Sequence, residues 1–221
     1  MFDINKLIIR PAELKDVEFI ATTIVEAEKS GTDKIGPANY FEISEADYRN
    51  YLRQMLEEEI DGCEISLSSF VVAEYEGQVV AARGGWLEGD NEDEMSSSML
   101  KSNLFAYILP KENLMKGQSK YEIVKDIMIE REMGTYQLEN SYTLAEFRGH
   151  HIMALLDGYH IDLARQKGVK KVQAHVSNEN EKSIKACERS GFHIVKKFTS
   201  HHPQVKEYYP DDTMVLLEMN L

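Results

Sequence analysis

The chain has 221 residues, with 25 Lys and Arg against 38 Asp and Glu, a formal charge of −13. At 43% hydrophobic and 29% charged residues it has the composition of a globular protein that buries a core without disulfide or metal staples. So acidic a chain lacks the Lys/Arg surface that a broad nucleic-acid interface needs, although one basic spot suffices for a small anion.

Cys63 and Cys187 lie far apart and match no metal-ligand spacing; one disulfide between them is the alternative to the reduced thiols expected here. The opening MFDINKLIIRPAELKD has no apolar run of signal-peptide length, and no stretch approaches the ~20 apolar residues that span a bilayer. The expectation is a cytoplasmic protein that meets neither nucleic acid nor membrane.

In chain order, Leu7 to Arg10 reads as a strand ended by Pro11. Leu14, Val17, Ile20, Ala21 and Ile24 then recur at helical steps. Residues 30–40 carry the Gly and Pro of a loop, and a helix follows over 44–60 with Ser44 as N-cap and Tyr48, Leu52, Met55 and Leu56 inward. FVVAEY and QVVAARGGW form a hairpin about Glu76-Gly77. Residues 88–133 read as an insertion packed on a single domain spanning 1–221. It opens on a solvated acidic stretch at 88–94, holds Leu104, Phe105, Tyr107, Ile108 and Leu109, and turns helical at YEIVKDIMIEREMG.

Beyond it, TYQLENSYT is strand-like, and Ile152, Leu155, Leu156, Tyr159 and Leu163 stripe a helix running to Gly168. A half-buried strand covers 169–176 and a helix runs from about Asn180 to Gly191. FHIVKKF and TMVLLEM make two last strands around a polar 199–212 loop. Strand–helix–strand over 135–176 implies a parallel pair with a right-handed crossover. The fold class is mixed α/β, a mixed sheet with helices on its faces.

The chemistry is concentrated in Leu138 to Phe192. A strand runs into Arg148-Gly149 and directly into a helix, whose first N–H groups and dipole suit an anion, above all a phosphate. Gly149 permits close approach of a ligand to the backbone, and Arg148 adds a fixed positive fork. The adjacent pairs His150-His151 and His201-His202 do not share a helix face and have no carboxylate or thiolate set beside them, so no metal is expected. The run Glu57-Glu58-Glu59 with Asp61 reads as a solvated face, or more sharply as a funnel for a cationic amine.

The order of this segment resembles the GNAT superfamily of acyl-CoA-dependent N-acyltransferases. That family's pyrophosphate loop, Arg/Gln-x-x-Gly-x-Gly/Ala, aligns with Arg148, Gly149, His150, His151, Ile152 and Met153, with Ala154 following. Its later helix aligns with Asn180, Ser183, Cys187, Glu188, Gly191 and Phe192. The resemblance implies a largely antiparallel sheet of about seven strands with one splayed parallel pair. In that gap the pantetheine amides of acetyl-CoA pair with the backbone around Ser141, Tyr142 and Thr143. It also implies a backbone N–H at a bulge within Asn140 to Thr143 that polarises the thioester, and a carboxylate that activates the amine. Glu139 is one candidate base, and His175 stands where some members place a catalytic Glu. Cys187 stands where many members have the Tyr that protonates the departing thiolate. His151 and Met153 depart from the loop's small residues.

The function implied is acetyl transfer from acetyl-CoA to a primary amine of a small molecule or peptide. A non-catalytic acyl-CoA sensor on the same scaffold, or an unrelated α/β binding protein, are the alternatives. Some members pair through their last strands, which allows a homodimer. Residues 145–200 hold ten Lys/Arg and six Asp/Glu, a net of +4, leaving −17 elsewhere. That division suits a polyanionic cosubstrate on one side and a cationic acceptor on the other.

Overall fold

The computed structural model describes residues 2–89, 94–128 and 130–221. Strand β1 is Leu7–Pro11; the first hairpin is β2 (Phe70–Tyr75) and β3 (Gln78–Glu88); then come β4 (Thr135–Thr143), β5 (Lys171–Ser177), β6 (His193–Thr199) and β7 (Thr213–Asn220). They form one sheet in the order β1-β2-β3-β4-β5-β7-β6, in which β4 and β5 are the parallel pair and every other pairing is antiparallel. Glu76 and Gly77 turn the β2–β3 hairpin with φ of 49° and 86°, the double left-handed conformation that matches strand twist.

The helices are α1 (Val17–Lys29), α2 (Gly36–Phe41), α3 (Glu45–Glu57), α4 (Ser97–Ile108), α5 (Lys111–Ser119), α6 (Tyr121–Val124), α7 (Ile152–Gln166), α8 (Glu181–Arg189) and α9 (Val205–Tyr208). Ser44 caps α3 by accepting from Asp47 N at 3.1 Å, and Tyr48, Leu52, Met55 and Leu56 are fully buried on its inner face. With α1 they cover one face of the sheet against Phe70, Val72 and Ala82, and Leu104, Phe105 and Leu109 join the same core. On the other face Ile152 and Leu156 of α7 pack on Val71, Ala73, Val80 and Ala81. Further along that face, Tyr136, Leu138, Val172, Ala174 and Phe192 gather Ala164 of α7 and Ile184 and Cys187 of α8.

Several sequence expectations change. The 30–40 loop contains α2, begun by Pro37 in its first turn, where the missing N–H has no cost. The helical reading of 121–134 shrinks to α6 and one 3-10 turn, Lys125–Ile127, and α3 stops at Glu57. A helical turn, α9, interrupts the 199–212 loop. Tyr107 is 73% exposed rather than packed. Glu88 is not solvated: it is fully buried and accepts from Trp86 Nε1 at 2.9 Å and Ser97 N at 2.8 Å. Glu94 is exposed, as expected of that stretch, and residues 90–93 lie outside the described residues. Among the described residues no helix is long and apolar enough to cross a membrane.

Candidate active site

The parallel pair separates almost at once. Tyr136 pairs with Val172 and Gln137 with Gln173, and no further partners follow although both strands continue. The other edge of β4 stays zipped to β3, with one irregularity: Arg83 faces Ser141 and Gly84 faces Glu139, so Asn140 is an extra residue. Asn140 takes φ of 50°, which identifies a β-bulge at the mouth of the gap. Gly84 permits it, since a Cβ there would stand 3.0 Å from Glu139 O and 3.1 Å from the Phe70 ring. Leu144 N donates to Val80 O at 2.9 Å. Successive residues address opposite edges of a strand, so the amides of Ser141 and Thr143 turn towards the gap while Tyr142 bonds to β3.

After β4 a 3-10 turn, Ala145–Phe147, leads through Arg148, Gly149, His150 and His151 into α7. Gly149 has φ of 83° and His151 φ of 59°. His151 thus adopts the left-handed conformation that suits the glycine of the loop pattern, one that histidine tolerates better than most residues. It is the N-cap of α7 and supplies no side-chain cap, whereas Ser44, Ser96 and Asn180 do cap their helices. The first N–H groups of α7 therefore lack a side-chain acceptor at an end carrying positive partial charge. Arg148, His150, His151 and Ala154 are exposed, Met153 is half-buried, and Ile152 anchors the helix in the core. Arg148 Nε donates to Thr143 O at 3.1 Å, and Phe2 lies against the His150 ring with centroids 4.4 Å apart. Asn180 caps α8 through Ser183 N at 3.2 Å and donates to Ser30 Oγ at 3.1 Å, tying the helix to the end of α1.

Glu139 and His175, read from sequence as separate candidates, touch. They face the α1 side, with His175 Nδ1 2.9 Å from Glu139 Oε1. Arg131 grips the same carboxylate with Nε at 3.1 Å and Nη2 at 2.9 Å, lies over the Trp86 ring and approaches Glu64 Oε2 at 2.7 Å. Lys101 of α4 pairs with the other Glu64 oxygen. Although burial opposes ionisation, the Arg131 charge and the His175 bond hold the Glu139 carboxyl well below the usual carboxylate range. An ionised Glu139 accepts from Nδ1–H, which leaves Nε2 as the basic nitrogen of His175. That Nε2 is buried and has no partner. Farther along this face, Glu28 accepts from Tyr48 OH at 2.9 Å, its second oxygen is a buried orphan, and burial pushes its pKa up to about 7.

The opposite face is drier. Gly85 makes room for His160, since a Cβ there would fall 2.6 Å from Nδ1. His160 Nε2 donates to Arg83 O at 3.0 Å, so Nδ1 accepts from Tyr136 OH at 2.9 Å, and burial lowers the imidazole pKa to about 4. Arg83 meets Asp157 of α7 at 3.0 Å. Cys187 is half-buried against the α7/α8 core, and desolvation raises its thiol pKa. It lies on the opposite face of the sheet from Glu139 and His175. Both cysteines are free.

Sequence reasoning missed Arg131, Glu64, Lys101, Arg83 and Asp157, whose partners stand 8 to 74 residues away and meet only through the topology. His160 did leave a signal: it sits four residues after Leu156 on the apolar stripe, where a polar side chain needs a partner. Among the described residues no group of three or more His, Cys, Asp or Glu is arranged to hold a metal.

Residues 38–192 match the family model described as the acetyltransferase (GNAT) family. No curated protein matches the sequence significantly. Among solved structures, an N-acetyltransferase from Staphylococcus aureus Mu50 is 16% identical over 96% of this chain and 100% of that one, with a TM-score of 0.68. Another, described simply as an acetyltransferase, is 19% identical over 96% and 98%, with a TM-score of 0.59. A Drosophila melanogaster polyamine N-acetyltransferase that forms N-acetylagmatine is 14% identical over 97% and 100%, with a TM-score of 0.58. At these identities the likeness establishes the fold. The family match spans well over half of the chain: this protein belongs to the acetyltransferase (GNAT) family and is an acyltransferase.

Proposed function

We propose that the protein transfers an acetyl group from acetyl-CoA to a primary amine of a small molecule or peptide, by direct attack within a ternary complex. The observation that carries this reading is the parting of β4 from β5 beside the Asn140 bulge. The Glu139–His175 pair stands on one face of that gap, and the uncapped N-terminus of α7 lies at the end of β4.

The residues present fit the cosubstrate. The N–H groups opening α7, with Arg148 and Gly149, would hold the pyrophosphate, and the gap-facing amides of Ser141 and Thr143 would pair with the pantetheine arm. Acetyl-CoA supplies the acetyl group as a thioester. The backbone at the bulge would donate to the developing oxyanion, a geometry a regular ladder would consume. His175 Nε2 takes the proton from the attacking amine, and Glu139, itself fixed by Arg131, holds the ring in the required tautomer. Glu139 is thus a positioning residue, too strongly stabilised as an anion to be the base. The acceptor approaches from the α1 face. A cationic amine suits the carboxylates Glu28, Glu64 and Glu139 there, and the solved polyamine acetyltransferase of the same fold acts on such a compound.

The test is thiol release from acetyl-CoA with a panel of amines, paired with calorimetry of CoA binding. Acetyl-CoA-dependent turnover of at least one amine is expected; no binding and no turnover would end the proposal. One observation favours a second reading, a non-catalytic acyl-CoA sensor: Cys187 packs into the core as a small hydrophobe. CoA binding without turnover across the panel would select that reading.

A further inference from the structure

One charged side chain on the α7 face has no part in the steps above. Arg83 of β3 is 8% exposed, and its Nε is buried without a hydrogen-bond partner. Among the described residues its one ionic contact is Asp157, whose Oδ1 stands 3.0 Å from that nitrogen yet out of line for a hydrogen bond. Burying the Nε–H of a guanidinium without an acceptor is unfavourable unless something else uses the charge. The backbone beneath it is firmly held, because Arg83 O accepts from the buried His160.

Its position is specific. Arg83 faces Ser141, the first residue of β4 beyond the bulge, where the strand has already left β5. Asp157 belongs to α7, and Cys187 of α8 lies within electrostatic reach of both charges. The guanidinium therefore stands on the α7/α8 face of the sheet, one strand away from the gap and on the opposite face from His175.

We propose that Arg83 is a further catalytic residue, stabilising the sulfur anion released when the thioester is cleaved. The inference rests on the acyl-CoA reading of the gap. An arm entering from the loop at the head of α7 brings its sulfur in along this face, while the amine arrives from the other. As the N–C bond forms, the amine proton goes to His175 Nε2, the C–S bond breaks and its electron pair goes to sulfur. A fixed buried cation accepts that charge without any proton transfer, and the thiolate is protonated afterwards by water. Asp157 orients the guanidinium and keeps the resting site neutral.

The experiment titrates the thiol of CoA bound to the protein, by the ultraviolet absorption of the thiolate. It compares wild type, Arg83→Met, and the double variant Arg83→Met with Asp157→Asn, which avoids leaving a lone buried carboxylate. The thiol of CoA should lose its proton at least about one pH unit lower on the wild type than on either variant, an about tenfold shift in the equilibrium. In turnover, kcat of the double variant should fall about 100-fold while KM for acetyl-CoA changes less than about threefold. Identical thiol titrations in all three proteins, or wild-type kcat in the double variant, would overturn the role of Arg83 while leaving the acyl-CoA reading standing. Failure of the wild type to bind CoA would overturn both.

Discussion

The two faces of β4 solve the problem of buried polarity in opposite ways. On the α1 side charge is plentiful and cross-linked: Lys101, Glu64, Arg131, Glu139 and His175 form one chain of contacts, and Glu28 lies beside it with an unanswered oxygen. On the α7 side polarity is sparse among the described residues, a neutral histidine with two partners and one ion pair beside an apolar core. The difference teaches where proton traffic belongs. A densely linked network can accept a proton and redistribute the charge, whereas a dry face presents a single fixed dipole or cation.

The most severe way to break this contrast is to remove the proposed base. His175→Gln keeps a polar side chain beside Glu139 but no basic nitrogen, and kcat should fall about 10²- to 10⁴-fold, with CoA affinity by calorimetry little changed. Retention of near-wild-type kcat would move the base elsewhere on the α1 face.

The next test exploits the charge imbalance at Glu28. Its folded pKa of about 7 lies above the ordinary value of 4.5, so the folded state binds the proton more tightly than the unfolded chain. The resulting destabilisation is absent below the unfolded value, grows as pH rises between the two, and is complete above the folded one. Glu28→Gln, which preserves an acceptor for Tyr48, should match wild type at pH 4 and exceed its unfolding free energy by up to about 3 kcal/mol at pH 8. Denaturant titrations at the two pH values read this directly.

Gly85→Ala probes the dry face. The new methyl must displace the His160 ring and with it the Tyr136 bond, at a cost of about 1–3 kcal/mol in unfolding free energy. Because His160 titrates at about 4 when folded, stability is lost as pH falls from the ordinary histidine range towards that value. This acid sensitivity should shrink in the variant.

The smallest effect belongs to the loop. His151→Gly removes the left-handed penalty at φ of 59°, offset in part by greater freedom of the unfolded chain, for a gain of about 0.5–1 kcal/mol in thermal unfolding. CoA affinity should be equal or tighter. Weaker binding would mean that the imidazole itself contacts the phosphates.

Much of this architecture was legible in the chain because its signals are local. The stripe Ile152, Leu156 gives α7, the alternation Val172, Ala174, Val176 gives β5, and Arg148-Gly149 marks the turn between strand and helix. The candidate bases were visible one at a time, but their contact was not, since 36 residues separate Glu139 from His175. Arg131 lies in YEIVKDIMIEREMG, whose helical pattern gives no sign of a partner on β4. Glu88 misled for a related reason: composition averages a window, and one carboxylate with three donors around it escapes the average. Pro37 looked like a loop marker, yet in the first turn of a helix it is a starting residue.

Asn140 has one more consequence, which concerns phase. Along β4 the odd residues up to Glu139 look towards α1, yet beyond the bulge it is the even residue Tyr142 that does, its ring 6.0 Å from that of Phe19. The inserted residue is thus a parity switch. Drawn into a regular ladder, Asn140 would exchange the outlooks of Ser141 and Tyr142; bulged out, it leaves Ser141 opposite Arg83 and Tyr142 opposite Ala82, each on the face it needs. In this strand, length counts modulo two, and the odd residue lets a strand bonded to one neighbour turn away from the other without losing its core.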